Sequence, residues 1–260
     1  MSTKLVQGML WSTAPRYWSQ HFEPWFAPMY KTVLNQLELS EKHLLLDAGC
    51  GSGLFSHLVV KTGAEVIGID AAQGLLEIAR VRNPQISFLQ EDLETLPFRD
   101  SNFDVVTGFN SFQYAGSFDK ALLEAKRVLK PGGRLVLGIW DKPEMSEATN
   151  VLKAIGTLLP PPPPGTPGPF ALSEDGRIEA DFAKNNLKLI YKTRVSCPFL
   201  YDGLTESIKS FMGTGPAAAA MNHGSRIIVE ETISKALKPF HLVDEFYFLQ
   251  NSLLVFIGEK

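Results

Sequence analysis

The sequence has little of what marks several large protein classes. Its 260 residues include only two cysteines, Cys50 and Cys197, too few for a disulfide framework and too far apart for a zinc site. No apolar run approaches the ~18 residues that a membrane-spanning helix needs, and the first residues do not resemble a secretory signal. These absences predict a cytoplasmic protein without a membrane span, and no metal is expected.

Neither sign of charge is in excess. There are 25 lysines and arginines against 28 acidic residues, so the formal net charge is −3 and the pI is about 6.0. Because nothing suggests a basic surface that tracks phosphates, a nucleic-acid partner is not expected. The length and the 45% of hydrophobic residues are typical of a globular protein with one large α/β domain, or one domain with a cap.

What the sequence does have is a glycine-rich turn between an apolar run and a helix. Residues 44–58 read LLLDAGCGSGLFSHL, in which Asp47 is followed by Gly49, Gly51 and Gly53 before helical periodicity starts. This order predicts a buried parallel strand, a tight turn and a helix N-terminus. Glycine accepts positive φ and leaves the backbone open to a ligand, and the helix start favours an anionic or polar ligand group.

The spacing of the glycines separates two kinds of nucleotide site. A dinucleotide fingerprint is G-x-G-x-x-G, whereas this turn reads D-x-G-x-G-x-G from Asp47. It resembles motif I of the class I S-adenosylmethionine-dependent methyltransferases, more narrowly the small-molecule branch with the ubiquinone and menaquinone biosynthesis enzymes. Taken alone, the pattern also fits an ordinary strand-to-helix turn. Within it, Cys50 is interpreted as a small filler rather than a nucleophile.

Two further acids follow predicted strands. Asp70 lies 19 residues after Gly51, where doubly wound folds place an acid that accepts hydrogen bonds from ribose hydroxyls; an ordinary helix N-cap is the alternative. Ala71 begins a run of small residues that leaves room for a flat adenine ring. Asp92 matches the position at which the resembling family's acid meets the adenine amino group, with Leu93 beside the ring. A helix cap or a solvated loop charge is the alternative for Asp92.

The fourth predicted strand, 103–109, ends at Asn110. Ligands of such sheets bind beyond the carboxyl ends of the strands, near the switch in strand order. Enzymes that methylate the amino groups of adenine or glutamine carry Asn/Asp-Pro-Pro-aromatic here, whereas residues 110–112 read Asn-Ser-Phe, which argues against that chemistry. Asn110 is predicted to contact the cofactor, and Gln113 and Tyr114 are candidates to touch cofactor or substrate.

Strands and helices alternate along the chain, which predicts a doubly wound α/β sheet. The strands begin at Leu44 and then occupy 65–70, 86–90, 103–109, 134–140, 187–197 and 246–258, and the helices 28–39, 54–61, 71–81, 117–129, 147–159, 174–185, 207–212 and 226–237. The resemblance implies one Rossmann-like methyltransferase domain over 1–260. Its sheet would have seven strands, mostly parallel with an antiparallel last strand, plus helical cap elements.

Residues 1–27 lie before this alternation and are rich in aromatic side chains. So many large apolar groups argue against a disordered tail. The segment is predicted to be an irregular N-terminal lid over the cofactor, with Tyr17 and Trp18 as its contacts. A segment pinned against the outside of the core is the alternative.

Two later segments also lie outside the sheet layers. Residues 141–172 combine a helix with a linker that contains five consecutive prolines, Pro160–Pro164. The linker is interpreted as a stiff loop bordering the active-site cleft, with a ligand for a proline-recognition domain as the alternative. Residues 200–240 are predicted to be a helical cap insertion that walls the substrate site. Its candidate lining residues are Phe211, Met212, Met221 and His223.

Methyl transfer from a sulfonium is an in-line displacement in which the cofactor carries its own activation, so no universal catalytic motif is expected. A hydroxyl or phenol acceptor would be helped by a general base. His21 in the lid and His223 in the cap are the candidates, beside Tyr114, and a structural role is the alternative for each. The aromatic and methionine side chains of lid and cap predict a small, apolar or aromatic acceptor.

The sequence thus predicts S-adenosylmethionine-dependent methyl transfer to a small molecule. The predicted cofactor-binding residues are Asp47, Gly49, Gly51, Gly53, Asp70, Ala71, Asp92, Leu93, Asn110, Tyr17 and Trp18. Two other classes stay open. One is a nicotinamide-dependent oxidoreductase, against which the glycine spacing argues, and the other is a cofactor-binding protein without catalysis. The acceptor, the methylated atom and the oligomeric state are left open by the sequence.

Overall fold

The computed structural model of the chain describes residues 2–161 and 170–260. The strands there are β1 (Leu44–Ala48), β2 (Glu65–Asp70), β3 (Ser87–Gln90), β4 (Phe103–Phe109), β5 (Leu129–Trp140), β6 (Lys188–Ser196), β7 (Phe199–Tyr201), β8 (Tyr247–Leu249) and β9 (Ser252–Glu259). Seven of them form one sheet in the order β3-β2-β1-β4-β5-β9-β6, and β7 pairs with β8 separately.

The direction of the strands agrees with the sequence prediction. The neighbours from β3 to β5 run parallel, whereas β9 runs antiparallel to both β5 and β6. The predicted seven-stranded sheet with an antiparallel last strand is therefore confirmed. From β1 the next strands along the chain, β2 and β3, are added on one side of the sheet, whereas β4 and β5 are added on the other side. The carboxyl ends of β1 and β4 therefore flank a crevice of the kind in which such sheets bind ligands.

Helices cover both faces of the sheet. They are α1 (Lys4–Trp11), α2 (Pro15–Tyr17), α3 (Ala27–Leu37), α4 (Leu54–Val60), α5 (Gln73–Arg82), α6 (Phe118–Val128), α7 (Ala148–Gly156), α8 (Arg177–Lys184), α9 (Leu204–Met212), α10 (Gly215–His223) and α11 (Arg226–Leu237). Successive residues of β1 lie in different cores, Leu45 with Val33 of α3 and Leu46 with Leu122 of α6. Side chains alternate along a strand, so the sheet separates two apolar layers.

The N-terminal segment is helical, and the prediction of an irregular segment was wrong. After α1 and α2, residues Trp18–Phe22 form one π-helical turn and Glu23–Phe26 a 3-10 turn. The apolar side chains of α1 did not reveal a helix because Leu5 and Met9 point outward, 80% and 67% exposed. The inner face of α1 carries the polar residue Gln7 instead, so the helix does not show an apolar periodicity.

Two boundaries in the second half of the chain also differ from the prediction. The small-residue run 213–220, between the predicted helices 207–212 and 226–237, forms much of α10, because the Thr214 hydroxyl accepts from the Ala217 N–H at its start and alanine favours helix. The predicted strand 246–258 divides into β8 and β9. Between them buried Asn251 donates to the Leu249 carbonyl over 3.0 Å and so stabilises the break.

Strand β5 begins at Leu129, earlier than the predicted 134, and includes residues 130–133, which lie between the predicted helix 117–129 and strand 134–140. Leu129 pairs with Phe103, and the register then shifts so that Val105 pairs with Arg134. The four intervening residues form an irregularity in the strand, at which Gly132 has φ 75°. Glycine takes up this conformation without strain.

The proline-rich linker is only partly described. Residues 162–169, which hold most of its prolines, lie outside the described residues, so its predicted position beside the cleft stays a prediction. The predicted cap region forms α9, α10 and α11, as the sequence indicated for two of these helices. Across residues 2–161 and 170–260, no helix has both the length and the hydropathy to cross a membrane.

Candidate active site

A cleft opens at the carboxyl ends of β1, β2 and β4, beneath α1. It encloses about 700 Å³ of empty space, its mouth included. Eight of the eleven predicted cofactor-binding residues line it: Gly49, Gly51, Asp70, Ala71, Asp92, Leu93, Asn110 and Trp18. Asp47, Gly53 and Tyr17 lie outside its lining. The strand ends therefore bring together residues that are up to 92 positions apart in the chain.

The glycine turn is shaped by close contacts on both sides. Gly49, Gly51 and Gly53 have φ values of 83°, 55° and 75°. A Cβ built on Gly49 would lie 2.2 Å from the Cβ of Ser111, so only glycine lets the loop after β4 approach the turn. The Ser111 hydroxyl then donates to the Ala48 carbonyl over 2.8 Å, which holds that loop at the edge of the cleft.

Asp70 connects the end of β2 to the turn. Its carboxylate accepts from the backbone N–H groups of Gly51 and Ala72, each over 2.8 Å. Burial raises the pKa of Asp70, and these backbone hydrogen bonds oppose the rise. The Ala71 N–H also interacts with the carboxylate, so one of its about four acceptor positions is left for a ligand hydroxyl in the cleft.

Glu23 fills the N-terminus of α4. Its carboxylate, 2% exposed, accepts from the Leu54 N–H, from the Ser52 hydroxyl and, over 2.7 Å, from Arg82 Nη1. Burial raises the pKa of Glu23, and the Arg82 guanidinium opposes the rise. The sequence predicted that this helix start favours an anionic or polar ligand group. In the structure the Glu23 carboxylate occupies that position. The sequence analysis missed Glu23, since it lies 29 positions from Ser52 and in no motif.

Asp47, one of the three predicted residues outside the cleft, joins the elements behind it. Asp47 is 1% exposed and accepts from the Ser56 hydroxyl over 2.6 Å and from the Thr107 hydroxyl over 3.1 Å, which joins α4 and β4 to β1. Burial raises its pKa to about 6, and the charges of Glu23 and Asp70 add to the rise.

Gly53 and Tyr17 have packing roles in the structure. A Cβ on Gly53 would lie 3.0 Å from the Cβ of Ala79, so glycine allows α4 to approach α5. The Gly53 carbonyl also accepts from the side-chain amide of buried Asn83 over 3.0 Å. The Tyr17 hydroxyl accepts from Arg226 over 3.4 Å and so faces α11.

Helix α1 lies across the cleft and contacts both of its sides. Three side chains before and in its first turn form hydrogen bonds there: Ser2 with the Asp92 carboxylate, Thr3 with the Tyr114 carbonyl over 2.5 Å, and Lys4 with Glu91 over 3.4 Å. Further along, a Cβ on Gly8 would lie 2.5 Å from the Ala71 carbonyl oxygen, so this glycine sets how closely α1 approaches the cleft. Gln7 and Trp11 complete the cover as lining residues that the sequence analysis did not single out for the site.

The loop after β4 contributes polar groups without partners. Asn110 has φ 48°, a left-handed conformation that asparagine tolerates better than most residues. Its Nδ2 and the Oε1 of Gln113 are buried and have no hydrogen-bond partner among residues 2–161 and 170–260. The Nε2 of Gln113 lies 3.5 Å from the Oδ1 of Asn110.

The histidine candidates for a general base lie away from the cleft. His21 points to α9, where its Nδ1 is 2.7 Å from the Glu206 carboxylate. His223 is exposed at the end of α10, and Phe211 and Met212 are buried in the core. Tyr114 does line the cleft, but burial raises its pKa to about 12. At neutral pH its hydroxyl is therefore a hydrogen-bond donor rather than a base.

In the described part of the chain, no group of three or more His, Cys, Asp or Glu side chains is placed to hold a metal ion.

Comparisons with known proteins agree with this geometry. Residues 46–137 match the family model of the methyltransferase domain. The chain is 36% identical over 99 residues to a demethylmenaquinone methyltransferase of Renibacterium salmoninarum, which is 38% of this chain and 42% of that enzyme. A malonyl-[acyl-carrier protein] O-methyltransferase of Buchnera aphidicola is 27% identical over 201 residues, which is 77% of this chain and 76% of that enzyme. The chain spans less than half the length of most curated relatives that it matches.

A solved structure extends the likeness beyond the matched segment. The YcgJ protein of Bacillus subtilis superposes with a TM-score of 0.60, covering 89% of this chain and 97% of that one at 22% identity. Such low identity shows the fold alone. Together with the sheet order and the antiparallel β9, these likenesses show that residues 46–137 match a methyltransferase domain, in a chain that has the Rossmann-like methyltransferase fold.

Proposed function

We propose that the protein is an S-adenosylmethionine-dependent methyltransferase with a small-molecule acceptor. One observation carries the choice of cofactor: the glycine turn offers Asp70 to a ribose, while the helix start beside it is closed by the Glu23 carboxylate. A dinucleotide places its pyrophosphate at that helix start. A nucleoside cofactor without phosphates fits these charges, and a nicotinamide dinucleotide does not.

The residues of the cleft suit the parts of this cofactor. Asp70 has an acceptor position left for a ribose hydroxyl, and Ala71 and Leu93 line the cleft beside it. The buried Nε1 of Trp18, for which the described residues offer no hydrogen-bond acceptor, lies 3.4 Å from where a Cβ on Gly51 would be. It is a free donor for the carboxylate of the cofactor's amino-acid end. Asp92 stays the candidate for the adenine amino group.

When bound, the cofactor supplies a methyl group on a positively charged sulfur, which a nucleophile displaces in line. The chain's own residues orient the two reactants and exclude water. The buried carboxylates of Glu23, Asp47 and Asp70 surround the turn and favour a cation there. Tyr114 stays protonated, and the histidines face elsewhere. Catalysis thus depends on placement and electrostatics rather than on a histidine base.

In this proposal the start of the predicted lid 1–27, through α1, covers the cleft, whereas Glu23 near its end belongs to the fixed floor. Helix α1 spans the cleft from the loop after β3 to the loop after β4, through Lys4 and Thr3. Its Trp11 packs edge-on against the Tyr114 ring, with 5.4 Å between the ring centroids. A cover in this position keeps water from the reacting groups and has to move when ligands enter.

The acceptor is proposed to be small and apolar or aromatic. Trp11, Phe109 and Tyr114 support this, since their rings line the cleft. The relatives' names do not converge on one acceptor, because one of those proteins is named for demethylmenaquinone and another for a malonyl-acyl-carrier protein. The acceptor of this chain therefore has to be found by experiment.

Isothermal titration with three ligands tests the cofactor proposal. S-adenosylhomocysteine is expected to bind with micromolar affinity, and NADH is expected not to bind because its pyrophosphate would meet Glu23. 5′-Methylthioadenosine, which lacks the amino-acid end, is expected to bind more weakly than S-adenosylhomocysteine. Binding of NADH without binding of S-adenosylhomocysteine would overturn the proposal. Methyl transfer to a panel of hydroxylated acceptors then separates an enzyme from a cofactor-binding protein without catalysis.

A further inference from the structure

Trp18 and Glu23 both reach Gly51, although they are five positions apart in one helical segment. The Nε1 of Trp18 lies 3.4 Å, and the Oε1 of Glu23 3.5 Å, from where a Cβ on Gly51 would be. In an α-helix, residues five apart lie roughly 140° apart around the axis. Residues Trp18–Phe22 form a π-helical turn instead, in which the Glu23 N–H donates to the Trp18 carbonyl. This wider i→i+5 turn brings the two side chains onto one face.

Helix α9 holds the π-helical turn from the outside. The Ser210 hydroxyl donates to the His21 carbonyl over 2.7 Å, and the Tyr201 hydroxyl lies 2.8 Å from Ser210 Oγ. Ser210 is fully buried, so its hydroxyl has to find its partners within the protein. π-Helical turns are rare and occur mostly at functional sites, and a rare backbone conformation persists where the surrounding structure fixes it.

The end of α9 also packs directly on the turn. A Cβ on Gly213 would lie 2.4 Å from the backbone nitrogen of Trp18. Gly213 has φ −74°, which any residue adopts, so glycine is required here for the close approach and not for the backbone conformation. On the same helix, the Glu206 carboxylate lies 2.7 Å from His21 Nδ1. Helix α9 therefore contacts the π-helical turn at its first residue and at its fourth.

The position of this turn matters for the cleft, because Trp18 brings an unused donor to it. Trp18 and Gly51 both line the cleft, and the described residues offer the buried Nε1 of Trp18 no acceptor. A hydrogen bond weakens steeply when its donor is moved or turned away from the acceptor. Any contact that fixes the π-helical turn therefore also fixes how well this donor binds a ligand.

We propose that Ser210 is a positioning residue for the cofactor, which acts through the π-helical turn to aim Trp18 Nε1 at the carboxylate of the cofactor's amino-acid end. Helix α9 of the predicted cap thereby affects cofactor affinity, although none of its residues lines the cleft. The inference rests on the proposed function, because it requires that carboxylate to lie at Trp18.

Two ligands that differ in the amino-acid end separate positioning from a general effect on the fold. S-adenosylhomocysteine has this end and 5′-methylthioadenosine lacks it, and the ratio of their affinities is measured by calorimetry. Trp18→Phe removes the donor and is expected to lower this ratio at least about tenfold, as for a hydrogen bond to a charged group. Ser210→Ala leaves the donor but frees the turn, and is expected to lower the ratio about threefold to tenfold.

Ser207→Ala is the matched control for Ser210→Ala. Ser207 lies on the same helix and is equally buried, but its hydroxyl donates to the Gly203 carbonyl at the start of α9 over 2.8 Å. Each variant removes one buried hydroxyl, so both are expected to lower the melting temperature by similar amounts. Only Ser210→Ala is expected to change the ratio of the two affinities.

Indole N–H signals of ¹⁵N-labelled protein test the positioning without any ligand. The chain has four tryptophans, and Trp18→Phe identifies the signal of Trp18. In the free protein, Ser210→Ala is expected to shift this signal and Ser207→Ala to leave it in place. An unshifted Trp18 signal in Ser210→Ala would overturn the inference, as would an affinity ratio that stays at the native value.

Failure of the inference can be told from failure of the proposed function. If the native protein binds both ligands equally well, Trp18 does not bind the carboxylate, and the inference falls while the cofactor assignment stands. If the native protein does not bind S-adenosylhomocysteine at all, both are overturned, even where Ser210→Ala still shifts the Trp18 signal.

Discussion

The floor of the cleft is held by buried charged groups, whereas the charged contact of its cover, α1, lies at the surface, beside the packing of the Trp11 ring on Tyr114. In the floor, Glu23 and Asp47 are 2% and 1% exposed, and each accepts at least two hydrogen bonds. In the cover, the side chains of the Lys4–Glu91 ion pair are 30% and 32% exposed. Surface ion pairs of this kind stabilise by about 0–1 kcal/mol, far less than removal of a buried partner costs.

This difference separates two tasks of the site. In the proposed function, a floor whose groups are buried and hydrogen-bonded keeps the glycine turn in place before the cofactor binds, which lowers the entropy lost on binding. The cover, in which the apolar side chains of Leu5 and Met9 point outward, is expected to separate from the cleft more easily than the floor rearranges. The following variants test this contrast between a fixed floor and a movable cover.

The largest effect is expected for Glu23→Gln. The substitution keeps the shape of the side chain but removes the charge that pairs with Arg82 and accepts from Ser52. We expect the free energy of unfolding in urea to fall by about 3 kcal/mol, as for a broken buried ion pair. Glu230→Gln, which removes the partner of Arg226 on the surface of α11, is the control and should cost less than about 1 kcal/mol. An equal loss of unfolding free energy in the two variants would contradict the view that the buried ion pair of the floor stabilises more than a surface ion pair does.

The pH dependence of stability tests the burial of Asp47. Its pKa is raised to about 6 in the folded protein, above the ~3.9 of an unfolded chain. The stabilisation linked to this group is therefore complete below pH ~4 and is lost as pH rises through about 6. Between pH 4.5 and 7 the unfolding free energy of the native protein should fall by about 2 kcal/mol relative to Asp47→Asn. Parallel curves for the two proteins would show that Asp47 is not buried as an acid.

Asp70→Ala is expected to weaken S-adenosylhomocysteine binding by about 1.5–3 kcal/mol, the usual loss for hydrogen bonds to a charged group. Far-UV circular dichroism should be unchanged, because the parallel strands on both sides of β1 remain. Asp119→Ala, at the exposed start of α6, is the control for calorimetry. An unchanged affinity of the Asp70 variant for S-adenosylhomocysteine would contradict the proposal that Asp70 binds the ribose.

The smallest effect is expected for Gly8→Ala in the cover. The added Cβ would lie 2.5 Å from the Ala71 carbonyl oxygen, so α1 has to move away from the cleft. We expect faster amide hydrogen exchange in α1 and a change of about 1 kcal/mol or less in global stability. Gly156→Ala, at the end of α7 with no atom within 4 Å of the new Cβ, is the control. Slower exchange at both sites would mean that only helix propensity had changed.

Much of the floor could be predicted from the sequence. The bounds of β2 and β4 agree with the predicted 65–70 and 103–109, and Asp70 and Asn110 lie at the cleft as expected. These predictions depend on local patterns: an apolar run of strand length, a glycine turn, and an acid at a set distance from it. Each pattern depends on one element and its immediate neighbour, so it can be recognised without knowledge of the rest of the chain.

Only the tertiary structure shows how α1 covers the cleft, how Glu23 occupies the N-terminus of α4, and where His21 points. Glu23 and Ser52 form a hydrogen bond although they are 29 positions apart in the sequence, and Ser2 and Asp92 do so at a separation of 90. No local sequence pattern predicts either contact. The same holds for Gly8 against Ala71 and for His21 against Glu206. The sequence alone determined strands β1 to β4, the glycine turn and the acid at the end of β2, because hydrophobic periodicity and backbone sterics act over a few residues. Which charges close the turn, and which side chains cover it, depended on packing between distant segments.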